Sequence, residues 1–279
     1  MSAAQNGDEL LEAVRRLAAQ GDGEAALELF GRNWRVWQAS GQPDKGSAAA
    51  ELALGAPGSS DSVWRTRTLY ADGLFAFRMG DIARSLARNE ETLRVARNSG
   101  DLQGECDGLT GLARIALREG RYEDVVTRAA QGRELARTAG DPEAEAGPLH
   151  LHAAGLRLQG RYAQARDLYL ESLDLNARLG TTRMVAAEHH NLGWVELHLG
   201  DAAAAADHFR ERDALAGSDA YGDAWTDLNW AAVAVMGHDA AEARRRFVAG
   251  KKALDATGLT LDPDDQAELG WLTVLVEQA

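Results

Sequence analysis

Lysine is nearly missing from this chain. Only Lys45, Lys251 and Lys252 are present, and every other basic residue except histidine is an arginine. Acidic residues number 43 against 30 basic ones, a formal net charge of −13. That balance argues against a nucleic-acid partner and against an anionic membrane surface, both of which call for a basic field. Cysteine is represented by Cys106 alone, which excludes an intrachain disulfide and fits a reducing, cytoplasmic setting. No apolar run approaches the ~20 residues of a membrane span, and Met1 to Glu12 lack the basic flank and apolar centre of an export signal. The period-two alternation of a strand appears nowhere in the 279 residues. Scarce lysine beside abundant alanine and glycine points to GC-rich, bacterial coding.

What the chain does have is a period. Glycine stands at 80, 100, 120, 140, 160, 180 and 200, and each interval is helix-compatible. Two intervals make one forty-residue unit, since Met79-Gly80-Asp81, Glu119-Gly120-Arg121, Gln159-Gly160-Arg161 and Leu199-Gly200-Asp201 share one place in it. A fixed period of this size marks a stacked repeat, in which each unit buries its apolar face only against its neighbours. The expected architecture is all-α, with about six antiparallel helix pairs and one further helix at the C-terminal end.

In chain order, residues 1–41 read as a first pair that turns at Gly21-Asp22, with Ala26, Leu27, Phe30 and Trp34 on its buried side. Residues 42–60 break the period and read as an insertion, with two helical turns between Ala48 and Leu54 and a Gly-Pro-Ser loop after them. From 61 to 258 the repeats are regular, the last of them following Gly217 and turning at Gly237-His238. Asp141-Pro142-Glu143 and Asp262-Pro263 are helix starts by their chemistry: aspartate caps, proline takes the first position, and acid suits the positive end. Residues 259–279 form a capping helix, all within one domain of 1–279.

No catalytic, metal or cofactor signature is found. His150 and His152 point to nearly opposite sides of a helix, as do His189 and His190. His190 and His198 share a face but lie roughly 12 Å apart by helical rise, too far for one zinc. Gly21-Asp22-Gly23-Glu24-Ala25-Ala26 has no strand before it and so is no dinucleotide loop. Cys106 beside Asp107 reads as a buried structural thiol, and Arg244-Arg245-Arg246 as a solvated helix face.

The units resemble tetratricopeptide repeats, in the forty-residue version found in the helical-repeat arms of bacterial transcriptional regulators. Gly120-Arg121-Tyr122 and Gly160-Arg161-Tyr162 match the turn. Ala26/Phe30, Ala165/Tyr169 and Ala205/Phe209 match the small–large pair of the second helix, and Gly73, Ala113, Ala153 and Gly193 match the small position of the first. Ser85/Asn89 and Val125/Ala129 depart from that pattern. The resemblance implies a right-handed superhelical solenoid with a concave wall built from the first helices.

Carrying the family's inward-facing positions onto this chain gives one stripe per first helix. The stripes hold Arg67, Tyr70, Leu74, Phe77 and Arg78; Asp107, Thr110, Arg114, Leu117 and Arg118; Gly147, His150, Ala154, Arg157 and Leu158; and Ala187, His190, Trp194, Leu197 and His198. An arginine- and histidine-rich wall inside an acidic protein implies a groove for an acidic or carboxylate-bearing peptide or protein segment, because guanidinium binds carboxylate in a fork. The chaperone-tail clamp is not reproduced, since Asn191 lacks its lysine partners. Two alternatives stand beside this one. An anionic small molecule, sensed or turned over, fits a cavity around Tyr70, Arg114, His150, His190 and Trp194; self-assembly into a homodimer would use the C-terminal helix.

Overall fold

The computed structural model describes residues 3–215, 220–259 and 261–279, and among these every regular element is an α-helix. The expected turn at Gly217 lies outside the described residues. The chain divides into two compact units, residues 1–119 with 127–148 and residues 120–126 with 149–279.

The first unit begins with α1 (Ala3–Ala19), α2 (Gly23–Asn33), the short α3 (Arg35–Ala39) and α4 (Pro43–Gly55). It continues through α5 (Val63–Arg78), α6 (Ile82–Ser99), α7 (Leu102–Arg118), most of α8 (Tyr122–Ala139) and the start of α9 (Pro142–Leu158). Every glycine of the twenty-residue series has positive φ, from 66° at Gly140 to 85° at Gly200. Only glycine adopts this backbone without strain, so the period in the sequence is a period of helix ends. An aspartate often follows at once and caps the next helix. Asp81 accepts from the Arg84 amide and Asp101 from the Gly104 amide, both at 3.0 Å.

The core of this unit is aromatic. Phe30 stacks on Trp37 with ring centres 5.4 Å apart, and Trp34 meets Tyr70 and Phe75 edge-on. Helix α4 belongs to that core. Its Ala49, Ala50 and Ala53 are fully buried, and it packs against α1, α2 and α5. The two turns expected between Ala48 and Leu54 are thus the second half of a longer helix that starts at Pro43. Proline at the first position and Asp44 in the first turn initiate it. Its weak apolar pattern reflects alanines chosen for close approach.

Asp72 ties α4, α5 and α6 together. The carboxylate is fully buried and accepts from Ser47 Oγ (2.7 Å), Arg84 Nη2 (2.8 Å) and Arg88 Nε (2.7 Å). The Ser85/Asn89 departure has a local explanation too. Asn89 Nδ2 donates to the Ser85 carbonyl, and its Oδ1 would lie 1.8 Å from any Cβ at Gly111. The amide fits because position 111 has no side chain.

The second unit holds the start of α8, the rest of α9, α10 (Tyr162–Leu179), α11 (Thr182–His198) and α12 (Ala202–Leu215). It ends with α13 (Ala220–Met236), α14 (Ala240–Thr257) and α15 (Pro263–Gln278). Ala165/Tyr169 and Ala205/Phe209 are fully buried, as the small–large pattern implies. The turn between α13 and α14 falls where expected, at Gly237-His238, with the positive φ (62°) on His238 and Asp239 capping α14.

The contact of α11 with α12 is tight. A Cβ built at Gly193 would stand 2.2 Å from Phe209 Cε1 in a fully buried ring. Gly193→Ala is therefore expected to destabilise the protein by about 1–3 kcal/mol through overpacking, although alanine is the better helix former. Urea unfolding of the two full-length proteins measures this; an unchanged or raised midpoint would show that the ring moves aside without cost.

Candidate functional site

Four arginines converge on a cavity of about 600 Å³ in the first unit. Trp34 reaches it from the turn before α3, Arg35 and Gln38 from α3, and Arg67, Tyr70, Leu74, Phe77 and Arg78 from α5. Gln103, Asp107, Thr110 and Arg114 come from α7, and Asp141, Glu143 and Gly147 from the α9 start. The α5 and α7 contributions follow the i, i+3, i+7 spacing that puts side chains on one helix face.

The partners of these arginines bear on what the cavity can hold. Several arginines of the unit are paired with acids: Arg84 and Arg88 with Asp72, Arg97 with Glu105, Arg133 and Arg137 with Glu145. Among the described residues, Arg35, Arg67 and Arg114 form no ion pair. Two of them stack on aromatics, Arg35 over Trp34 (4.7 Å) and Arg67 over Trp64 (5.0 Å), and Arg114 is hydrogen-bonded to Tyr70. Such stacking fixes a guanidinium plane and leaves its hydrogen-bond edge available. Arg118 lies over Phe77 at 5.4 Å and is exposed, beside the cavity and not among its lining.

Asp107 is the acid closest in character to a switch. Burial lifts its carboxyl to about 7, against the opposing influence of Gln103, which donates to it, and of the Arg35 and Arg67 charges. Neighbouring Cys106 is buried, its thiol is pushed up to about 12, mainly by burial, and Sγ donates to the Ala144 carbonyl. It is a structural thiol, as the sequence suggests.

The inner-facing residues assigned to the second unit have different neighbours. Arg157 is only 2% exposed and donates to Asp264 Oδ2 (2.8 Å), with Glu268 3.4 Å away. His198 meets Glu268 at 2.7 Å and stacks on Tyr162, ring centres 4.3 Å apart. Trp194 is fully buried and donates from Nε1 to Asn229 (2.9 Å), so it is a packing residue and offers no surface to a ligand. His150 and His190 line a separate cavity of about 760 Å³ with Arg183, Tyr221, Asp264 and Asp265. The five side chains grouped for a small-molecule site are therefore not one site: Tyr70 and Arg114 line the first cavity, His150 and His190 the second, and Trp194 neither.

His150 has a buried partner that the sequence did not signal. Its Nδ1 lies 2.9 Å from Glu188 Oε1, which also accepts the Ser172 hydroxyl at 2.6 Å. Burial pulls the imidazole down, but the Glu188 charge outweighs it and leaves the group raised. Asp265 is pushed up by burial, yet His190 and Tyr221 hold it below the usual carboxylate range. Among the described residues no three histidine, cysteine or acidic side chains gather as metal ligands, and no helix is long and apolar enough to cross a membrane.

The packed helix pairs define a TPR-like helical-repeat protein. Residues 145–212 match the tetratricopeptide repeat family model. Among solved structures, the apo form of the quorum sensor NprR from B. thuringiensis is similar over 99% of this chain and 81% of its own, with a TM-score of 0.63 at 16% identity. A Rap protein complexed with competence and sporulation factor is similar over 98% and 87%, with a TM-score of 0.58 at 12% identity. The Rap conjugation gene regulator of plasmid pLS20, in complex with the Phr* peptide, is similar over 91% and 76%, with a TM-score of 0.55 at 13% identity. No curated protein matches the chain in sequence. At these identities the likeness is one of fold.

Proposed function

We propose that the protein is an interaction module that holds an acidic or carboxylate-bearing peptide segment in the arginine-lined cavity of its first unit. The observation that carries the reading is the trio Arg35, Arg67 and Arg114, which line one cavity without a carboxylate partner. Trp34, Tyr70 and Phe77 supply apolar contact beside the charges. Two proteins of similar fold hold a factor or a peptide, which favours a peptide over other anions.

The test is a fluorescence-anisotropy screen of acidic peptides against the full chain, each with a free C-terminal carboxylate and an amidated twin. Binding that falls at least tenfold with Arg67→Gln/Arg114→Gln supports the reading, and loss on amidation assigns the carboxylate. Peptides that bind the variant as well as the wild type would overturn it. The cavity volume also suits an anionic small molecule, and displacement of a bound peptide by such a molecule would identify that occupant.

Asp107 gives the site a pH dependence. Its folded value of about 7 lies above the ordinary carboxylate value. The folded state therefore binds the proton more tightly, and its ionisation penalty grows as pH rises from ~4 and is complete above ~7. Asp107→Asn is expected to be more stable than wild type at pH 8, on the order of 2 kcal/mol, and no more stable at pH 4. Anionic peptide binding should weaken from pH 6 to 8 in the wild type and stay level in the variant. Paired unfolding and binding curves at the three pH values check both.

A further inference from the structure

The inner wall of the second unit already carries a helix. Asp264 and Glu268 stand one turn apart on α15, and Asp265 flanks them. They meet Arg157 on α9, His198 and His190 on α11, and Tyr221 on α13. Three residues further on, Trp271 packs against Trp194 and His198, with ring centres 6.2 and 4.3 Å away. Leu272 and Val276 complete the buried stripe. Thus α15 carries its acids and its apolar stripe on one face, seated on the wall that the repeat pattern would turn towards a partner.

Two features set α15 apart from a repeat helix. It is joined to α14 through Gly258 and a 60%-exposed Leu259. It also leaves Arg157 incompletely satisfied. Nη2 donates to Asp264, but Nε and Nη1 have no hydrogen-bond partner although the side chain is almost wholly buried. A buried guanidinium with unmet donors is costly, so an acid placed to take the fork more fully would bind better there than Asp264 and Glu268 do.

We propose that this wall is a receptor for a partner protein's helix that carries acids and apolar residues on one face, and that α15 is its resident occupant, displaced when such a helix binds. The recognised pattern is two acids one turn apart, an aromatic three residues after the second, and apolar residues four and eight after it. Tethering keeps the resident at high effective concentration, so an incoming helix must outmatch it in its contacts with Arg157. The residues involved are distinct from those of the first-unit cavity, and either proposal can fail without the other.

The probe is a fluorescein-labelled peptide of residues 261–279, titrated against the full chain and against the full chain carrying Asp264→Asn/Glu268→Gln. The loosened chain is expected to bind the peptide at least tenfold more tightly than the wild type, and adding Arg157→Gln should abolish that gain. Equal binding to both chains would overturn the proposal. Hydrogen exchange on the unmodified protein is a second test that needs no variant. Amides of 266–278 should exchange at least tenfold faster than those of 224–236, as a separately opening segment does. Exchange of both segments in step would mean that α15 opens only with the whole unit, and the proposal would fall.

Discussion

Replacing Arg67 and Arg114 by glutamate is expected to lower the affinity for an acidic peptide by roughly a hundredfold or more, with little change in Tm. Each arginine-to-carboxylate hydrogen bond contributes about 1.5–3 kcal/mol. Losing two therefore weakens binding by ~3–6 kcal/mol, and the new negative charges repel the ligand as well. Stability should hold because neither arginine has an ion-pair partner to be orphaned. What Arg67 loses is its stacking on Trp64, about 0.5–1 kcal/mol at a half-exposed site. Isothermal titration with scanning calorimetry on the same samples separates the two effects. A variant that binds normally, or one whose binding is lost only because it unfolds, would contradict the assignment.

Asp72→Ala should behave in the opposite way, with a large loss of stability and no direct effect on the cavity. The carboxylate is wholly buried and gathers Ser47, Arg84 and Arg88 from the helices on either side. Removing one member of a buried charged cluster costs about 3–5 kcal/mol. The two arginines are a quarter exposed and regain some hydration, so the lower end of that range is expected. Because Ser47 lies on α4, the variant should also open residues 43–55 to proteolysis. A urea midpoint within about 1 kcal/mol of wild type would show that apolar packing alone holds α4 in place.

Much of this architecture is readable from local spacing. The glycine period marks helix ends because one backbone conformation at each end excludes most side chains, and the small–large pairs mark helix contacts because volume there is fixed. The exceptions also have physical causes. At the expected Gly237-His238 turn the left-handed residue is the histidine and not the glycine beside it. Helix α4 buries alanines, whose pattern is weak, and so its first turns were not foreseen. Asn89 reads as a departure until Gly111, on the neighbouring helix, is seen to make room for it.

The candidate site was legible where it depends on one helix face, as with Arg67, Tyr70, Phe77 and Arg114. It was not legible where the chain bends between short helices, so Trp34 read as core and Arg35 was missed altogether. Nor could spacing reveal that Asp264 meets Arg157, 107 residues away in sequence. The acids of α15 read as a helix start, which they are, and their second role depends on tertiary placement alone.

The most direct measurement is photo-crosslinking of an acidic peptide that carries a benzophenone next to its C-terminal carboxylate, mapped by mass spectrometry on the full-length protein. Crosslinks should fall within residues 63–78 and 102–118, the helices that carry Arg67 and Arg114, and should disappear in Arg67→Glu/Arg114→Glu. Crosslinks confined to the second unit, or unchanged in that variant, would contradict the assignment of the first-unit cavity as the binding site.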